Sequence, residues 1–278
     1  MKKLLLLCAC ALLVLSLAVP ALAEGEAWQI YTVASGSVDD FDGDEVQEGV
    51  DFSTELDEYG DGSFTLTVGD QTAGEEYCVY LDPTLRAMKL GSGTYAYGTI
   101  FMVSEHGPSD DPYTYCYLYM DGVLRFLGGI PAHADTFAVN DWGMITTEIR
   151  SDMLGTWLRP ADYVFCMGYD WESEEPESYA CLAESPRDLY PMRVILQLDA
   201  DLPVRASRFD QETSSVLHGG QRLALTATDD RSWVFASSLD GEEKGWIHVR
   251  TTEYLHEIEL DGRWALENEV FSSVPYAD

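Results

Sequence analysis

Basic side chains are scarce in this chain. Its 278 residues carry 16 Lys and Arg against 49 Asp and Glu, a formal charge of −33. That balance excludes nucleic acid and anionic membrane as expected partners, because both need a basic footprint. Convincing helical periodicity is also scarce; Arg263 to Phe271 is the best candidate, and it is short. No C-x-x-C exists, so neither a zinc knuckle nor a thioredoxin site is indicated. There is no H-E-x-x-H, no G-x-S-x-G and no phosphate-cradling glycine loop. Two carboxylates for a glycosidase could be picked from 49 acids at will, so their presence carries no information. After residue 23 no stretch is long and apolar enough to span a bilayer.

What is present begins with an address. Lys2 and Lys3 open the chain, Leu4 to Val19 is apolar, and Ala21-Leu22-Ala23 forms an A-x-A cleavage site. This reads as a secretory signal peptide over residues 1–23, with a product that is secreted or held at the cell surface. Cys8 and Cys10 lie too early for a lipoprotein anchor. Cys78, Cys116, Cys166 and Cys181 remain. An even number in an exported chain permits two disulfides, and buried thiols in strands are the alternative; Cys166 and Cys181 flank an acidic loop and make a plausible pair. Cys116 sits in an alternating aromatic strand, where an inert thiol is the default, so no cysteine hydrolase is expected.

Alternation with a period of two dominates the rest. It runs over Phe64 to Val68, Tyr77 to Leu81 and Tyr113 to Tyr119. Val194 to Leu198 and Leu223 to Thr228 are rich in strand formers. Asp61-Gly62, Asp121-Gly122, Asp240-Gly241 and Asp261-Gly262 read as hairpin-type turns. The fold class is all-β. The acidic run Tyr169 to Ser178 reads as a solvated loop closing a first domain over 24–190. A second begins near Met192, runs over 192–250 and carries an extension over 251–278.

One segment has metal chemistry. Asp39 to Asp51 reads DDFDGDEVQEGVD. Oxygen donors alternate at Asp40, Asp42 and Asp44, followed by the carbonyl of Val46 and then Glu48. Calcium takes six to eight hard oxygen ligands, and a curled loop presents alternate residues to one ion. Phe41, between them, would anchor the loop in the core. The plain alternative is an acidic surface turn; an EF-hand fits less well, because Asp51 stands where a bidentate Glu is usual.

The run DFDGDEVQE followed by Val50-Asp51-Phe52 resembles the D-x-D-x-D-G-x-x-D/E loop of FG-GAP/VCBS-type repeats, the calcium-binding blades of integrin-like β-propellers. The resemblance covers about 15 residues. It implies a propeller-like or partial-propeller β domain with calcium held by Asp40, Asp42, Asp44, Val46 and Glu48. The glycine expected after the third aspartate is Glu45 here. From Met192 the chain resembles a bacterial Src-homology-three-like (SH3b-type) barrel. The resemblance rests on Leu202-Pro-Val204, Gly219-Gly220 before Leu223-Ala-Leu225, Trp233-Val-Phe235 and Gly245-Trp-Ile-His-Val249. It implies attachment to a cell-wall or cell-surface ligand, with Trp233 and Trp246 as contact residues; core packing is their bland alternative. His218, His248 and His256 read as surface or turn residues. The combined expectation is a secreted, non-catalytic binding or scaffold protein. The competing one is an enzyme or inhibitor acting on the wall, targeted there by the barrel.

Overall fold

The computed structural model describes residues 28–90, 97–170, 177–252 and 255–276. The signal segment 1–23, residues 171–176 of the acidic run and Tyr254 lie outside the described residues. Strand accounts for 58% of the structure, which makes the class all-β.

Nine strands come first: β1 (Ile30–Thr32), β2 (Ser37–Asp39), β3 (Glu48–Leu56), β4 (Gly62–Val68), β5 (Gln71–Cys78), β6 (Arg86–Leu90), β7 (Gly98–Glu105), β8 (Tyr113–Met120) and β9 (Val123–Ile130). β2 to β5 form one antiparallel meander, and β1 joins β6 to β9 in a second sheet. A third sheet follows from β10 (Ala138–Val139), β11 (Ile145–Ser151), β12 (Trp157–Asp170) and β13 (Glu177–Glu184).

The middle sheet is buried on both faces, and the period-two rule shows how. Phe101 and Val103 of β7, with Tyr117 and Tyr119 of β8, join a core shared with Phe64, Leu66 and Val68 of the first sheet. The intervening Ile100, Met102, Cys116 and Leu118 join a second core with Ile145, Ile149, Ala161 and Tyr163 of the third. Successive side chains of one strand therefore bind two different layers, and burial is nearly continuous along both strands. Cys116 is fully buried, and that burial pushes its thiol up to about 12.

The remainder comprises β14 (Tyr190–Leu198), β15 (Leu202–Val204), β16 (Ser215–Leu217), β17 (Arg222–Thr228), β18 (Trp233–Ser238), β19 (Lys244–Thr251), β20 (His256–Leu260), β21 (Arg263–Leu266), α1 (Glu267–Val270) and β22 (Phe271–Ser272). Seven of these strands make a half-barrel sheet, and β15 and β16 pair separately. β14 alternates without fault: Tyr190, Met192, Val194, Leu196 and Leu198 enter one core that also takes Met153, Leu154 and Trp157 from the preceding segment. The Asp121-Gly122 and Asp261-Gly262 turns have positive φ at both residues, as two-residue hairpins require.

Three local expectations change. Within Arg263 to Phe271, helix is confined to the four residues of α1, because β21 pairs with β20 through Leu266 and holds Arg263 to Leu266 extended. β5 stops at Cys78, since Tyr80 takes a left-handed φ of 51° and turns the chain out of the ladder. Strand pairing persists into the acidic run as far as Asp170 and Glu177, with Cys166 directly opposite Cys181. All four described cysteines are free thiols.

Arg159 ties the third sheet to the last unit. Its Nε lies 2.7 Å from Asp230 Oδ2, its Nη1 2.5 Å from Glu184 Oε1, and its guanidinium covers the Tyr190 ring at 4.5 Å. The Arg159 hydrogen bond holds the Glu184 carboxyl below its usual range, against the opposing effect of burial. A carboxyl depressed in the folded state stabilises above its unfolded pKa, and that contribution is lost as pH falls through the folded one. Glu184→Gln should therefore flatten the acid limb of a stability–pH curve, measured by urea unfolding from pH 7 down to 3. An unchanged limb would assign acid sensitivity to other groups.

Candidate functional site

The loop between β2 and β3 curls because its own carboxylates bind its backbone. Asp40 Oδ1 accepts from the Gly43 N–H at 2.6 Å, and Oδ2 from the Glu45 N–H at 3.0 Å. Asp44 Oδ1 accepts from the Val46 N–H at 2.7 Å. These are Asx-type turns, in which short acidic side chains substitute for strand partners. Glu45 takes φ 69°, the left-handed conformation for which glycine is normally kept. A non-glycine residue there costs on the order of 1–2 kcal/mol.

Phe41 anchors the loop. It is buried, with its ring edge-on to Phe101 at 5.3 Å. Its carbonyl accepts from the Thr99 hydroxyl at 2.7 Å, and its N–H donates to Glu48 Oε2 at 3.1 Å. Residues 41–45 bend around this anchor. Asp40, Asp42 and Glu48 consequently present carboxylate oxygens within 4.8 Å of one another, the one such group among the described residues.

The electrostatics are those of a site short of positive charge. Asp42 is only 5% exposed. Its Oδ2 accepts from the Gly122 N–H at 2.7 Å, and its Oδ1 is buried with no hydrogen-bond partner. Burial pushes the Glu48 carboxyl up; the Phe41 N–H lowers it, and the charges of Asp42, Asp44 and Asp40 raise it further. A fixed cation at the focus would reverse that pressure. Lys89 is at the rim, 2.7 Å from Asp39 and 3.2 Å from the Asp40 carbonyl, so it balances the outer face.

Of the five residues expected from sequence, three converge: Asp40, Asp42 and Glu48. Asp44 is exposed and lies outside this group, and Val46 is exposed with its amide held by Asp44. Sequence reading did not assign the β8–β9 turn to this site. Gly122 caps Asp42, and Asp121 lines a cavity of about 280 Å³ with Asp42, Gly43, Asp44, Tyr97, Met120 and Met167. The Asp121-Gly122 pair is legible as a turn, but nothing local places it against a loop 80 residues earlier.

The second expected site lies on the half-barrel sheet. Val234, Ala236, Ile247 and Val249 face the core, so Trp233, Phe235, Trp246 and His248 occupy the opposite face. Core packing is excluded for both tryptophans by this register. They are half-buried there by stacking. Trp233 lies flat on His248 at 4.4 Å, and Arg205 covers Trp233 at 5.1 Å. Trp246 meets Phe235 edge-on at 5.2 Å beneath Arg208 at 5.4 Å. Trp264 continues the row against His248 and Arg250. Glu259 joins Arg205 at 2.6 Å and His248 at 2.7 Å. A polar cleft of about 370 Å³ beside the row includes Arg205, Trp246, His248 and Glu259. His256, in contrast to a surface reading, is buried and bonded to the Asp152 carbonyl at 2.8 Å.

Comparison with known protein families, with curated proteins and with solved structures finds no match in any of the three.

Proposed function

We propose that this is an exported, non-catalytic binding module in which calcium locks the Asp40–Glu48 loop and the last β unit engages a cell-wall or cell-surface ligand. The observations that carry the calcium half are the buried, unpartnered Asp42 Oδ1 and the convergence of Asp42 with Asp40 and Glu48. A buried charged oxygen without a donor is costly, and a hard divalent ion is the chemistry that satisfies an all-oxygen focus. Asp40, Asp42 and Glu48 would hold the ion, and further oxygens from solvent, Asp44, Asp121 or loop carbonyls would complete its shell. Its part is structural: it neutralises the carboxylates and ties β2–β3 to the β8–β9 turn. Three antiparallel sheets packed in series on two cores support a propeller-like reading of the first unit. The half-barrel sheet and its β15–β16 ribbon support the Src-homology-three-like reading of the second.

Equilibrium dialysis of the mature chain against radiolabelled calcium tests the first half. One ion per chain is expected, and none retained at millimolar calcium would end it. For the second half, Trp246→Ser should cut retention on purified wall material by about tenfold or more, as loss of an aromatic anchor does elsewhere. Retention equal to wild type would remove the stacked row from the binding surface.

A further inference from the structure

The third sheet carries a facing pair of cysteines. β12 and β13 run antiparallel, and Cys166 stands directly opposite Cys181 in their register. Phe165, Ala180 and Leu182 pack against the second core. Side chains alternate along a strand, so Cys166 and Cys181 share the face turned away from that core. Opposed residues of an antiparallel pair hold their Cα atoms roughly 4.5–5.5 Å apart. A disulfide spans roughly 4.4–6.8 Å between Cα atoms, so this pair can be bridged with the register unchanged.

The other two described cysteines are placed differently. Cys78 is fully buried in the first core and Cys116 in the second, and the middle sheet separates those cores. Burial pushes both of their thiols up to about 12, a range in which little thiolate forms at neutral pH. Cys166 and Cys181 are half-buried, within reach of a small oxidant. Residues 167–180 between them carry five acids and no basic side chain. Like charges so close in the chain repel one another, and a covalent tie at the base of the run opposes that repulsion.

We propose that Cys166 and Cys181 are a modification site, closed by an intramolecular disulfide that ties β12 to β13 at the base of the acidic run. The oxidant is a small-molecule disulfide of the glutathione class. One cysteine thiolate attacks it, forming a mixed disulfide and expelling one small thiol. The second thiolate then attacks the protein sulfur of that mixed disulfide and expels the other small thiol. Two S–H bonds and the oxidant's S–S bond break, and one protein S–S bond forms. The two electrons and two protons leave with the two small thiols. The bond stands apart from the calcium and wall-ligand readings above.

The test starts from the full mature chain, reduced, freed of reductant and incubated with oxidised glutathione. Remaining thiols are then blocked, and the denatured chain is cut after glutamate without reductant. That digestion puts Cys78, Cys116, Cys166 and Cys181 in four separate peptides. Mass spectrometry should find the Cys166 and Cys181 peptides joined to each other, with Cys78 and Cys116 blocked. The oxidised protein should melt about 5–10 °C above the reduced one, because the bridge removes freedom from the unfolded chain. The paired variant Cys166→Ser with Cys181→Ser should melt like the reduced wild type whether or not reductant is present. Cys166→Ser alone should leave Cys181 holding a glutathione adduct. Separate adducts on both cysteines of the wild type would overturn the proposal. So would a bridge between two chains, a bridge to Cys78 or Cys116, or free thiols after excess oxidant. A joined pair with no gain in melting temperature would overturn the tie between the strands.

Discussion

Asp42→Asn should raise the melting temperature of the protein in chelator and abolish the further rise that calcium gives the wild type. Without a cation, the wild type holds three carboxylates within 4.8 Å, one of them buried with an unpartnered oxygen. An asparagine has the same shape. Its carbonyl can keep the Gly122 N–H, and its amide can donate to the Glu48 or Asp40 carboxylate that Asp42 repels. A hydrogen bond to a charged group contributes about 1.5–3 kcal/mol, so a gain of a few degrees in chelator follows. Calcium at a hundredfold excess over Kd stabilises the wild type by about 2.7 kcal/mol, or about 5–10 °C for a chain of this size. In the variant that increment vanishes, because the loss of a charged ligand from a site of three weakens a hard ion most. Asp44→Asn should do far less in both conditions, since Asp44 is exposed and outside the convergent group. Scanning calorimetry of the three proteins, with calcium and with chelator, decides it. A wild type indifferent to calcium, with Asp42→Asn less stable in chelator, would reduce Asp42 to a cap for the β8–β9 turn.

The pattern of residues carries the class of the fold further than its assembly. Runs such as Phe64 to Val68 and Val194 to Leu198 alternate because one sheet face is apolar, and each is a strand. What alternation cannot show is which core each face meets. Tyr113 to Tyr119 reads as a half-exposed strand, yet Cys116 and Leu118 serve one core while Tyr117 and Tyr119 serve another. Trp233 and Trp246 illustrate the converse. Aromatic residues suggest interior positions, but the register of Val234 and Ile247 assigns them to the outer face, where histidine and arginine planes cover them. In the loop, the acidic spacing is local and readable, whereas convergence depends on Phe41 finding Phe101 across the sheet interface. The spacing names five candidates; the buried anchor and the Asx turns choose three.

Phe101→Ala and Met102→Ala should destabilise the protein comparably and affect the metal loop differently. Both side chains are fully buried neighbours on β7, facing opposite layers. Truncation removes apolar contact and leaves a cavity in each core, at about 3–5 kcal/mol for phenylalanine and about 2–5 kcal/mol for methionine. Melting temperatures should fall on the order of 10 °C in each case. Only Phe101 backs the ring of Phe41, and only Phe41 separates Asp40 from Asp42 while donating its N–H to Glu48. An edge-to-face aromatic pair is worth about 0.5–1.5 kcal/mol beyond its buried area, so losing it should weaken calcium binding about three- to tenfold. Met102→Ala leaves that chain of contacts intact and should bind calcium as the wild type does, once measured below its lowered melting point. Calorimetric titration of both variants separates the outcomes. A shared loss of affinity would mean that the loop follows global stability, and equal retention would mean that the Asx turns alone hold the carboxylates in place.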